Sequence, residues 1–129
     1  MSIDSPASAT GSLAEDAASR YLTQNGYRVV ARNWRKPWGE LDIVAKKDGR
    51  HHFIEVKAQS REVAGFAAHI RAGRLKLAKV RRTARSWLAS FGGGAEPEWQ
   101  IDVIEVTIDR IGRQAHVTHF LNVETESSS

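Results

Sequence analysis

Two hydrophobic periods alternate along this chain, and the switches between them mark its elements. From Ser12 to Asn25 the apolar positions Leu13, Ala14, Ala17, Ala18, Tyr21 and Leu22 recur at helical spacing, and Gly26 supplies the stop. Ser12 with Glu15 three residues on has the form of a capping box. Tyr27 to Ala31 reads as a strand, followed by strands at about Glu40 to Ala45 and His52 to Ala58. Between the last two lies Lys46-Lys47-Asp48-Gly49-Arg50, whose Asp-Gly pair is a strong hairpin signal. A long helix is expected over roughly Arg71 to Ser90, with Leu77, Val80, Ala84, Trp87, Leu88 and Phe91 as its apolar stripe and Gly92-Gly93-Gly94 as its end. Gln100 to Ile108 and Ala115 to Leu121 supply two further strands. The order α-β-β-β-α-β-β predicts an α/β domain, a mixed sheet with helices packed on it.

Small polar residues over 1–10 and again over 122–129 read as tails, leaving 11–121 as one domain. At 129 residues there is room for one core. With no cysteine, disulfides and thiolate metal sites are impossible, and a reducing cytoplasm is expected. No apolar run approaches the length needed to cross a bilayer, and Met1 to Thr10 lacks a secretory signature.

Charge changes the picture more than composition does. Residues 59–95 hold 8 basic residues against 1 acidic, whereas 96–129 hold 2 against 7. A local excess of that size favours a polyanionic partner. Arg71, Arg74, Lys76 and Lys79 lie near the start of the long helix and are the candidate nucleic-acid contacts; the alternative is that their stems only cover a solvated helix face. Trp34 and Trp38 flank Arg35-Lys36-Pro37 in what reads as a basic, aromatic loop, suited either to stacking on an unpaired base or to wedging against the core. His51, His52, His69, His116 and His119 do not form a convincing zinc set and are expected to be structural or surface residues.

The candidate chemistry lies in Gly39-Glu40-Leu41-Asp42-Ile43-Val44 and Phe53-Ile54-Glu55-Val56-Lys57. If Asp48-Gly49 are the two hairpin residues, Asp42 faces Glu55 and Glu40 faces Lys57. All four then share one sheet face with Phe53, with Leu41, Ile43, Ile54 and Val56 on the other. Opposed carboxylates with Cβ atoms roughly 5 Å apart repel one another. A divalent cation such as Mg²⁺ or Mn²⁺ turns that repulsion into a binding site, and Lys57 beside it could orient a water or steady phosphate charge. The same residues could instead form a solvent-facing set of cross-strand ion pairs, although Phe53 argues against simple open surface.

Asp followed thirteen residues later by Glu-x-Lys resembles the motif of the PD-(D/E)XK nuclease superfamily. The longer pattern resembles its YraN-like bacterial family, which is similar to archaeal Holliday-junction resolvases. That likeness runs from about Gly11 to Val123 through Gly11-x-x-x-Glu15, Ala17, Tyr21-Leu22, Gly26-Tyr27, Arg32-Asn33-Trp34-Arg35, Gly39-Glu40-Leu41-Asp42, Phe53-Ile54-Glu55-Val56-Lys57, Gly65, Lys76, Ala84, Trp87-Leu88 and Asp102-Val103. The resemblance implies a restriction-endonuclease-like mixed sheet and Mg²⁺- or Mn²⁺-dependent cleavage of nucleic acid, DNA in the first instance. It also implies a homodimer by analogy with the resolvases. Asp42 and Glu55 match its metal ligands, with the carbonyl of Val56 as a further one, and Lys57 matches its catalytic lysine. Glu15 matches an acidic residue that completes the cluster, a role competing with the capping box. Gln59 stands where the family usually has Arg, and Gln100-Ile101-Asp102 replaces the usual Arg-Phe-Asp. A nucleic-acid-binding or partner-binding protein with this fold and no useful cleavage is the alternative.

Overall fold

A computed structural model of the chain describes residues 6–59, 74–91, 96–109 and 114–124. Within them lie helix α1 (Pro6–Gln24), strands β1 (Arg28–Lys36), β2 (Gly39–Lys47) and β3 (Arg50–Gln59), helix α2 (Arg74–Phe91), and strands β4 (Glu98–Asp109) and β5 (Gln114–Phe120). The strands form one sheet in the order β1-β2-β3-β4-β5. Neighbours are antiparallel except β3 and β4, which run parallel. A parallel pair needs a crossover, and α2 lies on that connection.

The two helices cover opposite faces. Ala14, Ala17, Ala18 and Leu22 of α1 pack against Ile43, Ala45, Ile54, Ile104 and Val106. Leu77, Val80, Ala84, Trp87 and Leu88 of α2 pack against Leu41, Val44, Phe53, Ile101 and Val103. Adjacent residues of β3 therefore enter different cores: Phe53 faces α2 and Ile54 faces α1, both essentially without solvent exposure. A strand buried on both faces loses clean polar–apolar alternation, and the near-continuous run Phe53-Ile54 with Val56 shows this.

The β2–β3 hairpin turns on Asp48 (φ 52°) and Gly49 (φ 79°), the left-handed pair that an Asp-Gly turn requires. It sets the register from Lys47↔Arg50 to Ile43↔Ile54. Several boundaries differ from the sequence expectation. Helix α1 begins at Pro6, so Ser12 lies inside it rather than at its N-terminus, and the capping-box reading falls. Strand β1 continues through Trp34 to Lys36, leaving only Pro37 and Trp38 as a turn where a basic loop was expected. Val123, expected to lie in a tail, is instead tied down: its N–H donates to the Ile101 carbonyl at 2.8 Å and its side chain is buried, while 125–129 lie outside the described residues. Among the described residues no helix is long and apolar enough to cross a membrane.

Candidate active site

The β2–β3 ladder stops at Ile43↔Ile54, and beyond it the two strands part. At this fork a side chain takes over from the backbone: Asp42 Oδ2 accepts the Val56 N–H at 2.9 Å. The cause is a change of phase in β1 and β2. Asn33 lies opposite Asp42, between the pairs Arg32↔Ile43 and Trp34↔Leu41, and has φ 54°. Asn tolerates this left-handed conformation better than most residues. Ile43 thus faces α1 while Leu41, two residues away, packs on the α2 side. Strict alternation would have placed both on one face, so the simple shared-face geometry expected for β2 is corrected here.

Strand β3 keeps its alternation, and Glu55 follows Phe53 toward the α2 side, level with Val103 of β4. Glu55 is buried, and its Oε2 lies 3.2 Å from Lys57 Nζ, which remains about one-third exposed. Glu40 does not meet Lys57, because the ladder that would have brought them together has already ended. Its carboxylate instead takes the Arg35 guanidinium at 2.9 Å across the β1–β2 pair.

Glu15 approaches the fork from α1. Its Oε1 accepts the Asn33 Nδ2–H at 3.0 Å and lies 3.6 Å from Arg32 Nη2, which donates to Asp16 at 2.9 Å. Asn33 therefore bends β1 opposite Asp42 and also anchors Glu15. Burial pushes the Asp42 carboxyl up from an ordinary value of 3.8 to about 6. The Val56 N–H opposes that rise, while the negative charges of Glu55, Glu15 and Glu40 add to it.

Such a carboxylate is stabilised by a proton or by a cation. Asp42 and Glu55 offer hard oxygen donors of the kind Mg²⁺ and Mn²⁺ take, and one or two protein carboxylates with waters and substrate phosphates are enough for Mg²⁺. Among the described residues no group of three or more His, Cys, Asp or Glu converges as a ready-made metal cage. The donor chemistry fits a sparsely held Mg²⁺-type ion rather than a structural metal.

The expected nucleic-acid contacts are reached only in part. Arg71 and the side chains of Arg74 and Lys76 lie outside the described residues, as do Gly65 and His69. Lys79 is exposed on α2, one turn from Arg82. Arg81 points elsewhere and pairs with Glu124.

Sequence reasoning missed a second polar centre. His52 Nδ1 and His119 Nε2 both donate to Asp102 Oδ2, at 2.7 and 2.8 Å, while Gln100 and the Asn122 N–H donate to Oδ1 at 2.8 and 2.9 Å. The Tyr21 hydroxyl lies 3.0 Å from His119 Nδ1; with Nε2 protonated toward Asp102, the hydroxyl is the donor. Burial alone would raise the Asp102 pKa, but the His119, His52, Asn122 and Gln100 hydrogen bonds outweigh it and hold the carboxyl well below the usual range. Gln100 and Asp102 thus serve the interior. The sequence named the pieces, with Asp102 in the family pattern and His52 and His119 expected as structural or surface residues, but not their meeting.

Known proteins resemble this chain over most of its length. The pattern of the Uncharacterised protein family UPF0102 matches residues 14–106. A UPF0102 protein of Beutenbergia cavernae is 43% identical over 115 residues, covering 89% of this chain and 95% of that protein. One from Roseiflexus castenholzii is 33% identical over 109 residues, 84% of this chain and 87% of the other. One from Moorella thermoacetica is 39% identical over 107 residues, with coverages of 83% and 88%. On the match to the family pattern and on these relatives alike, the chain belongs to the UPF0102 family.

Proposed function

We propose that this chain is a Mg²⁺- or Mn²⁺-dependent nuclease of restriction-endonuclease-like architecture that hydrolyses phosphodiesters of nucleic acid, DNA in the first instance. The carrying observation is the fork at Asp42. There a half-buried carboxylate is fixed by a backbone N–H and set among Glu55, Glu15 and Glu40, so that its negative charge is disfavoured without a cation. Structural carboxylates are surrounded by donors, as Asp102 is; one surrounded by acids suits ion binding.

Asp42 and Glu55 hold the ion in this reading, with the Val56 carbonyl as a further candidate ligand. Glu15 adds negative charge from the α1 side. When bound, the ion supplies an activated water and neutralises charge on the phosphate. The Lys57 ammonium, held against Glu55 and partly open to solvent, orients that water or steadies the oxygens of the phosphate in the transition state. The Val56 N–H holds the Asp42 carboxylate in place.

A cleavage assay on linear, flapped and four-way DNA and on RNA, with Mg²⁺ and with Mn²⁺, tests the proposal. Cleavage that Asp42→Asn and Lys57→Ala abolish is the expected result. A wild-type protein inert on the whole panel would overturn it in favour of a binding protein, a reading consistent with Gln59 standing where the family it resembles usually has Arg.

A further inference from the structure

The β1–β2 turn lies directly on α2. A Cβ added at Gly39 would clash with Thr83 Oγ1, so glycine permits this approach. Beside the contact lies a cleft of about 450 Å³ lined by Arg35, Lys36, Trp38 and Glu40 from the hairpin and by Lys79 and Arg82 from α2. Four cations meet one carboxylate there, and Glu40 is already engaged with Arg35. Lys79 and Arg82 are three residues apart on a helix and so point the same way. Lys36 Nζ lies 5.1 Å from the Trp34 ring centroid, which holds its charge near the rim.

Trp38 combines two properties. It is 44% exposed, and its Nε1–H donates to Ser86 Oγ at 3.1 Å. The hydrogen bond uses the ring's one polar group and fixes its orientation, while much of the indole stays open. A planar ring held still beside cations is a stacking platform, since every nucleobase presents a π-face and every nucleotide a phosphate. The cleft falls in the size range of small-molecule sites, roughly 300–1,000 Å³, and is too small to admit a duplex. It also adjoins the fork, because Glu40 lines it and adds to the charge felt by Asp42.

We infer that this cleft binds an unpaired nucleotide of a single-stranded segment, with the base stacked on Trp38 and the flanking phosphates on Lys36, Lys79 and Arg82. The inference builds on the proposed nuclease function by naming the substrate feature, a single-stranded stretch led past the fork. Binding in EDTA separates the two, because it requires no cleavage.

The probes are fluorescent single strands of about 12 nucleotides, DNA and RNA, and the matching duplexes, read by anisotropy against salt. Wild type should prefer the single strands. Trp38→Ala should weaken single-strand binding roughly tenfold and leave duplex binding in place, while Trp38→Phe, which keeps a ring, should retain most of the affinity. The pair Lys79→Ala and Arg82→Ala should reduce the slope of log affinity against log salt by about 1.4. Circular dichroism confirms that each variant is folded. Equal single-strand affinity in folded Trp38→Ala and wild type, or a wild-type preference for duplex, would overturn the inference whatever the cleavage assay gives. Single-strand preference lost with Trp38, in a protein that cleaves nothing, would support the cleft and sink only the nuclease.

Discussion

Asp42 and Asp102 are both largely withdrawn from water within one sheet, yet their surroundings are opposite. Asp102 has four donors on its two oxygens, and its interactions hold it ionised. Asp42 has one backbone donor and three acidic neighbours, and burial raises its pKa to about 6. The comparison teaches that withdrawal from water alone does not set a carboxylate's charge. What sets it is whether the fold surrounds the group with donors or with other acids.

The largest effect should come from Asp102→Ala, which strands buried donors from two histidines, a glutamine and a backbone amide. A loss of about 3–5 kcal/mol is expected by chemical denaturation. Asp42→Asn, by contrast, should be neutral or slightly stabilising in metal-free buffer because it relieves repulsion. Equal losses for the two variants would break the comparison.

Next in size is the response to metal. A ligand held only by the folded state stabilises it by about 2.7 kcal/mol at a hundredfold excess over its dissociation constant. Thermal melts with Mg²⁺ or Mn²⁺ should show such an upward shift in wild type and none in Asp42→Asn. The same shift in both would remove Asp42 as a ligand.

The two aspartates should also respond to pH with opposite signs. Asp102 binds its proton less readily folded than unfolded, so its stabilisation is present above pH 4 and is lost as pH falls below the ordinary aspartate range. Asp42 binds its proton more readily when folded. Metal-free stability should therefore decline as pH rises from about 4 to about 6 on its account. Denaturation of wild type and Asp42→Asn across that window should show the stability gap widening with pH in favour of the mutant; a constant gap would deny the raised pKa.

The smallest effect is expected from Asn33→Gly, which accepts φ 54° but loses the hydrogen bond to Glu15. A cost of about 1 kcal/mol or less is expected. A loss as large as that of Asp102→Ala would mean that the Asn33–Glu15 contact holds the fork together.

Local chemistry made much of this legible from the sequence. Asp48-Gly49 dictates a two-residue turn, and from it the register to Ile43↔Ile54 follows by counting. The helical stripes of α1 and α2 declare which residues they bury. Counting failed where β1 and β2 change phase together: nothing in Arg32-Asn33-Trp34 announces that Asn33 turns left-handed, and nothing in Leu41-Asp42-Ile43 announces that Leu41 and Ile43 enter different cores. The paired face expected for Glu40 and Lys57 failed for that reason. The Asp102 centre was hidden differently, because His52, Asp102 and His119 lie 50 and 17 residues apart and meet only through tertiary packing.

The same irregularity governs how this molecule meets copies of itself. Strand β1 has one strand neighbour among the described residues, so its outer edge could template the strand of another chain. Its register slips between Val29 and Ala31, it bends at Asn33, and it carries Arg28, Arg32, Arg35 and Lys36. A jagged, cationic edge makes a poor seam for edge-to-edge sheet growth.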